Sequence, residues 1–232
     1  MRMRKKPNLG PRMERCAQFL IEDPKQLRGQ WRSLKPEAGQ LWLELGCGKG
    51  GFMARKALQN PQINFLAVDI KSDILGLTKR NIEKAYEQAG KEVDNVRIFA
   101  YDIERILQVL DRNDEVERIY INFCDPWPKS NQKKRRLTHG NFLQLYRRVL
   151  PMGGEIHFKS DNDKLFEWSL EEIPQFGFRL SQVTRDLHAN GPVGVMTDYE
   201  AKFYQQGVTI NRCVATMAPW EAPAQPEESD EA

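Results

Sequence analysis

The chain has 232 residues, with 35 Lys and Arg against 32 Asp and Glu for a net charge of +3. That length suits one domain with a core buried between layers, and 40% hydrophobic with 29% charged residues is the composition of a globular, water-facing chain. No apolar run approaches the roughly 20 residues of a membrane span. Cys16, Cys47, Cys124 and Cys213 show no C-x-x-C and no His at ligand spacing, which argues against a zinc site or a disulfide framework. No metal is expected, and reduced thiols point to a cytoplasmic setting.

The start, MRMRKKPNLGPRMERC, is basic but leads into no uninterrupted apolar segment. Residues 1–38 therefore read as a basic, partly flexible arm and not as a secretory signal. Residues 39–218 carry the repeating pattern of a single domain. LWLELG (41–46) is a short apolar run ending in glycine, and GFMARKALQN (51–60) then places apolar residues at helical spacing. INFLAVDI (63–70) is a second buried strand, followed by a helix through 71–90 with a stripe at Ile74, Leu77, Ile82 and Ala85.

The rhythm repeats with strand VRIFAYD (96–102), helix IERILQVLD (103–111), strand VERIYINFCD (116–125) and helix NFLQLYRRVL (141–150). Strand GGEIHFKSD (153–161) and helix KLFEWSLEEI (164–173) complete it. Such alternation predicts crossover connections, a mainly parallel sheet covered on both faces, and ligands at the carboxyl ends of the strands. FRLSQVTRDL and VTINRCVATM then form a strand pair around a long Gly/Pro-containing loop, a kind of insertion that is more often functional than idle. Residues 219–232, PWEAPAQPEESDEA, combine Pro, Ala and acid with nothing to bury and read as a disordered tail.

LELGCGKGGF places Gly46, Gly48 and Gly51 in a G-x-G-x-x-G at a strand-to-helix turn, which a dinucleotide-binding enzyme also uses. Gly46, Gly48 and Gly50 equally fit the loop of S-adenosylmethionine enzymes. Glu44 favours the latter, because a carboxylate there repels a pyrophosphate but accepts the cationic methionyl end of the methyl donor. Asp69 ends the second strand, where a carboxylate can accept ribose hydroxyls, and Asp102 ends the third, within reach of an adenine amino group. Turn and helix-cap roles are the structural alternative for both.

Asp125 ends the fourth strand in NFCDPWPKSNQKKRRLT (122–138), next to the first strand and so above the cofactor. Pro126 and Pro128 should leave Asp125 and Trp127 extended and stiff. Methyl transfer is an in-line displacement that asks for alignment and charge stabilisation, which a preorganised carboxylate provides. Trp127 could stack on an unstacked base or pack under the loop as a lid. Lys133, Lys134, Arg135 and Arg136 are contiguous beside this loop and suit phosphates, against the usual reading of a charge run as a solvated face. Thr197 with Glu200 has the spacing of a capping box, and Asp161 with Asn162 that of a strand-end turn. His139, His157 and His188 share no metal-binding spacing and read as structural or surface residues.

The set ELGCGKGGF, NFCDPWPK with KKRRLT, IHFKSDN and MTDYEAKF resembles, in order and approximate spacing over residues 40–217, the bacterial tRNA (guanine-N7-)-methyltransferases of the TrmB family. The pairing of D-P-W-P-K with T-D-Y-E-x-K-F is far more specific than any glycine loop. The resemblance implies a Rossmann-like class I methyltransferase fold, α/β with a seven-stranded mainly parallel sheet. It also implies S-adenosylmethionine as methyl donor and N7 of a variable-loop guanine, position 46 of the tRNA, as acceptor. By that resemblance Glu44, Gly46, Gly48, Asp69, Asp102 and Asp125 contact the cofactor. Asp125 also carries the catalytic role, while Lys129, Asp161, Thr197, Asp198, Tyr199 and Glu200 meet the substrate. Lys133, Lys134, Arg135 and Arg136 are then the tRNA phosphate contacts. The chain departs from the family pattern at Ser130 and Asn131, where members usually carry more basic residues and a histidine.

Guanine N7 has an in-plane lone pair and no proton, so it needs no general base, and carboxylates are left to orient the base and balance charge on the product. Three other classes fit parts of the pattern. An enzyme methylating an exocyclic amino group would carry consecutive prolines after its acidic or amide residue. A nicotinamide oxidoreductase is disfavoured by Glu44 and the basic cluster, and a noncatalytic RNA-binding module by intact acids at four strand tips. The expected partner is tRNA, with no membrane and no obligate protein partner.

Overall fold

A computed structural model of the chain describes residues 19–221; residues 1–18 of the basic arm and the tail from 222 lie outside the described residues. Strands β1 (Gln40–Leu45), β2 (Ile63–Asp69), β3 (Val96–Ala100), β4 (Val116–Asn122), β5 (Glu155–Ser160), β6 (Phe178–Thr184) and β7 (Asn211–Met217) make one sheet in the order β3-β2-β1-β4-β5-β7-β6. The pairs among β1 to β5 are parallel, and β7 runs antiparallel between β5 and β6. The chain thus winds outward from β1 in both directions, and the crevice where the order reverses lies above the ends of β1 and β4.

Strand alternation splits the core into two layers. Leu41, Leu43 and Leu45 face one side with Leu66 and Val68, where helices α3 (Gly140–Arg147) and α4 (Asp163–Gln175) add Phe142, Tyr146, Phe166 and Ile173. Trp42, Phe65 and Ala67 face the other, covered by α1 (Gly51–Gln59) and α2 (Ser72–Gln88) through Phe52, Met53, Leu75 and Ile82. β2, flanked and covered on both faces, is buried at every position, which is why it reads as a mostly apolar run, interrupted within it by Asn64 alone. A fifth helix, α5 (Asp198–Gln205), lies in the long insertion between β6 and β7.

Two expectations are corrected. Residues 19–38, assigned above to the arm, pack onto the domain. Ile21 N–H donates to the Ile98 carbonyl at 2.9 Å and Ile98 N–H to that of Phe19 at 3.0 Å, so this stretch covers the open edge of β3. Trp31 is fully buried, stacks on Phe99 at 5.0 Å and donates its indole N–H to the Val109 carbonyl at 2.7 Å. Second, IERILQVLD is no α-helix but a 3-10 segment, Ile103–Gln108, kinked at Arg105. Ile106, Val109 and Leu110 all turn into the core, and an Asp111–Asp114 capping box closes another turn before β4, so packing overrides the local helical pattern.

Trp31→Ala should cost about 3–5 kcal/mol of stability, as for other buried aromatics truncated to Ala. Urea unfolding measures it, and a loss below about 1 kcal/mol, the scale of most surface changes, would return residues 19–38 to the arm.

Candidate active site

Two cavities, of about 350 and 580 Å³, open at the carboxyl ends of the strands and share Gly46, Asn122 and Phe123 in their walls. The first is also lined by Glu44, Gly48 and the start of α5, the second by Asp69, Asp102, Asp125, Trp127 and Arg135. Gly46 and Gly48 have φ of +77° and +52°, and a Cβ on either would meet no atom within 4 Å. They form a bare backbone cradle that faces space a ligand can fill.

Glu44 lies one residue from the end of β1 and is 2% exposed. Asn122 Nδ2 donates to its Oε1 at 3.1 Å, while Glu44 Oε2 and Asn122 Oδ1 are buried without a hydrogen-bond partner among the described residues. Burial, reinforced by the charge of Asp69, pushes the Glu44 carboxyl up to about 8. Two adjacent orphaned acceptors are what an ammonium group satisfies, so the residues present fit the methionyl end of S-adenosylmethionine.

Asp69 accepts from Gly48 N–H and Lys71 N–H, both at 3.0 Å, which fixes its carboxylate at the β2 tip with acceptor capacity to spare for hydroxyls. Asp102 caps the Ile103–Gln108 turn by accepting from Glu104 N–H at 3.0 Å and at the same time walls the second cavity. The capping role and the pocket role therefore coincide at this residue. Cys47 and Cys124 carry thiols pushed up by burial, Cys124 to about 12, so neither is a ready thiolate.

Asp125 is exposed on the wall of the second cavity. The loop around it is strained, and not in the way the prolines suggested: Trp127 is left-handed with φ +42°, as is Phe123 with φ +55°. Such a conformation costs an aromatic residue about 1–3 kcal/mol and persists only where surrounding contacts over-determine it. Arg136 supplies them. Its Nε donates to the Pro126 carbonyl and its Nη2 to that of Trp127, both at 3.1 Å, while the guanidinium stacks on Trp168 at 4.5 Å. Arg135 lies over the Trp127 ring at 4.8 Å.

Arg136, expected among the phosphate contacts, is thus buried and committed to the loop, whereas Lys133, Lys134 and Arg135 are exposed on the Ser130–Arg135 turn. Lys129 caps that turn and is exposed, as is Asp161 just after β5. Thr197 and Glu200 form the capping box of α5. Asp198 pairs with Arg55 at 3.0 Å, and its carboxylate lies where a Cβ on Gly51 would come within 2.4 Å, so α5 begins hard against the start of α1. Tyr199 is 65% exposed, with its ring 6.2 Å from Phe203.

Glu200 corrects a further expectation. Fully buried, it accepts from Lys159, His188 and Thr197 N–H, so it is no free reader of a base edge. The sequence reading missed Asn122, Lys159 and the loop-holding task of Arg136. The available signal was strand parity, which puts Glu44, Asn122 and Lys159 on one face of the sheet as polar residues at strand ends.

A family model described as "Putative methyltransferase" matches residues 38–213. The tRNA (guanine-N(7)-)-methyltransferase of Clostridium beijerinckii is 50% identical over 216 residues, covering 93% of this chain and 98% of its own length. The chain belongs to this family. The enzyme of the same name from Acetivibrio thermocellus is 45% identical, with 93% and 99% covered. Among solved structures, the 16S rRNA methyltransferase KamB aligns with a TM-score of 0.60 at 17% identity over 82% of this chain and 93% of its own. A variant of the 16S rRNA (adenine(1408)-N(1))-methyltransferase from Catenulisporales acidiphilia with cosubstrate SAM gives 0.59 at 14%, covering 87% and 94%. These structural matches carry the fold alone, the Rossmann-like α/β sheet of class I methyltransferases.

Because the free Glu44 carboxyl holds its proton up to about pH 8, pairing with an ammonium must displace that proton. In a reading that seats the cofactor's ammonium at Glu44, affinity should therefore rise with pH between about 6 and 7, where the ligand's own α-amino group is still largely protonated. Calorimetry in buffers of different ionisation enthalpy should count close to one proton released at pH 7, and Glu44→Gln should abolish the release.

Proposed function

We propose that this chain transfers a methyl group from S-adenosylmethionine to N7 of a guanine in the variable loop of tRNA. The observation that carries the reading is identity of about one half, over nearly their whole length, with tRNA (guanine-N(7)-)-methyltransferases. When bound, the cofactor supplies a methyl group made electrophilic by its sulfonium. The acceptor nitrogen has no proton to lose, so this chain's residues need only bind, orient and balance charge.

In this reading Glu44 and Asn122 hold the methionyl end, Asp69 the ribose and Asp102 the adenine edge. Asp125, on its clamped loop, orients the guanine and offsets the positive charge its ring acquires. Thr197, Asp198 and Tyr199 at the start of α5 face the substrate from the other side, with Asp161 and Lys129 at the rim. Lys133, Lys134 and Arg135 take the phosphates. With tRNA as substrate, the cytoplasm is the proposed setting; among the described residues no helix is long and apolar enough to cross a membrane.

Labelled methyl transfer to unmodified tRNA transcript, mapped by the strand scission that N7-methylguanine permits, tests the reading. One cleavage in the variable loop is expected, and label elsewhere would overturn it. Asp125→Ala should lower turnover by about two orders of magnitude or more in a folded protein, the scale seen when a charge-stabilising group is removed.

The basic residues should separate into two kinds. Replacing Lys133, Lys134 and Arg135 together by Ala should flatten the slope of log affinity against log salt by roughly two, at about 0.7 per phosphate contact. Arg136→Ala should leave that slope unchanged and lower turnover instead.

A further inference from the structure

We propose that His188 and Lys159 are positioning residues that set α5 over the active site through the buried carboxylate of Glu200, and so govern use of the nucleic-acid substrate. The inference rests on the reading of this chain as a tRNA methyltransferase.

Glu200 has no acceptor capacity left. Lys159 Nζ donates to Oε1 at 2.7 Å and to Oε2 at 3.0 Å, His188 Nε2 to Oε1 at 2.9 Å, and Thr197 N–H to Oε2 at 3.0 Å. Each oxygen accepts twice, which saturates a carboxylate. The four bonds come from β5, the loop after β6 and the N-cap of α5 itself, so one side chain ties three segments together.

α5 needs that tie. It is eight residues long and Glu200 is the buried residue within it, so apart from the Phe203 ring near Phe123 at 6.1 Å and the exposed Asp198–Arg55 pair, its place over the sheet depends on that carboxylate. It nevertheless presents Thr197, Asp198 and Tyr199 to the first cavity. A helix held by a saturated, buried ion pair has one position, because shifting it would strand a charge.

The tautomer of His188 is fixed by its surroundings. Val193 N–H donates to Nδ1 at 3.1 Å, which leaves the proton on Nε2, the atom that donates to Glu200. Its ring also meets Tyr204 edge-on at 5.3 Å, one turn further along α5. Lys159 reaches the other way as well: its backbone carbonyl accepts from Phe123 N–H at 3.0 Å, at the root of the loop that carries Asp125. The two halves of the site, α5 and the Asp125 loop, therefore share β5 as a common reference.

The test compares His188→Ala and His188→Gln in the full chain, because Gln restores an N–H donor near the place of Nε2. Lys159 also acts on Glu44 through its charge, so His188 gives the cleaner separation. Methyl transfer is measured with tRNA varied at saturating S-adenosylmethionine, cofactor affinity by calorimetry with S-adenosylhomocysteine, and helix order by hydrogen exchange of residues 198–205. His188→Ala should lower kcat/KM for tRNA about 10- to 100-fold, the loss of one hydrogen bond to a buried charge, and speed exchange in α5. S-adenosylhomocysteine affinity should stay within about twofold, a change well under one hydrogen bond, and His188→Gln should recover most of the loss.

Unchanged kcat/KM and exchange in His188→Ala, an equal loss of cofactor affinity, or no recovery with Gln would each overturn the proposal. Should His188→Ala fail to fold, Lys159→Met is judged by the same exchange in α5. A wild-type chain that methylates no tRNA guanine would sink the functional reading, and exchange alone would then decide whether the latch exists.

Discussion

A buried carboxylate with one oxygen left unpaired is the constraint around which the rest is arranged. Glu44 lies near the tip of the central strand, where the strand order reverses, and among the described residues only Asn122 donates to it. A folded chain tolerates an orphaned acceptor there because the group keeps its proton, at the cost of a carboxyl displaced to about 8. In the proposed reading that displaced equilibrium is a stored preference for the cofactor's ammonium group. The glycine cradle beside it leaves open space for the rest of that ligand, and Asp69, pinned by two backbone N–H groups, keeps acceptor capacity on the neighbouring strand.

A second economy appears across the sheet crevice, where stiffness is supplied from outside the reacting segment. The two prolines restrict the Asp125 loop, yet Trp127 adopts a backbone conformation that proline does not impose. Arg136 holds it there with a planar fork that matches two successive carbonyls, a geometry a lysine could not reproduce. The loop, the basic turn and Trp168 on α4 thus form one unit. Glu200 plays the matching part on the far side, so that each wall of the site is referenced to a rigid element through a buried charged side chain.

Much of this was legible in the sequence, for physical reasons. Buried parallel strands read as apolar runs and crossovers as periodic helices, which fixed the α/β class; the four acids were visible because each lies within three residues of a strand end. Trp31 was not, because an aromatic in a polar stretch says nothing about a partner such as Phe99 on a distant strand. Nor could sequence tell Arg136 from Arg135, since adjacent cations in a 3-10 turn and its cap point in different directions. The direction decides whether a guanidinium meets solvent or a carbonyl. Glu200 was ambiguous for a related reason: a capping-box carboxylate can be half exposed or wholly enclosed, and only the positions of Lys159 and His188 settle which.

The central claim is that Glu44 is kept protonated until the cofactor arrives. The measurement that tests it most directly is a pH titration of the Glu44 side-chain carboxyl by carbon NMR, in the free protein and with S-adenosylhomocysteine bound. The free protein should titrate near 8, and the bound form should show an ionised carboxylate at neutral pH. A free-state midpoint in the ordinary glutamate range near 4.3 would contradict the claim and make the seat a conventional salt-bridge partner.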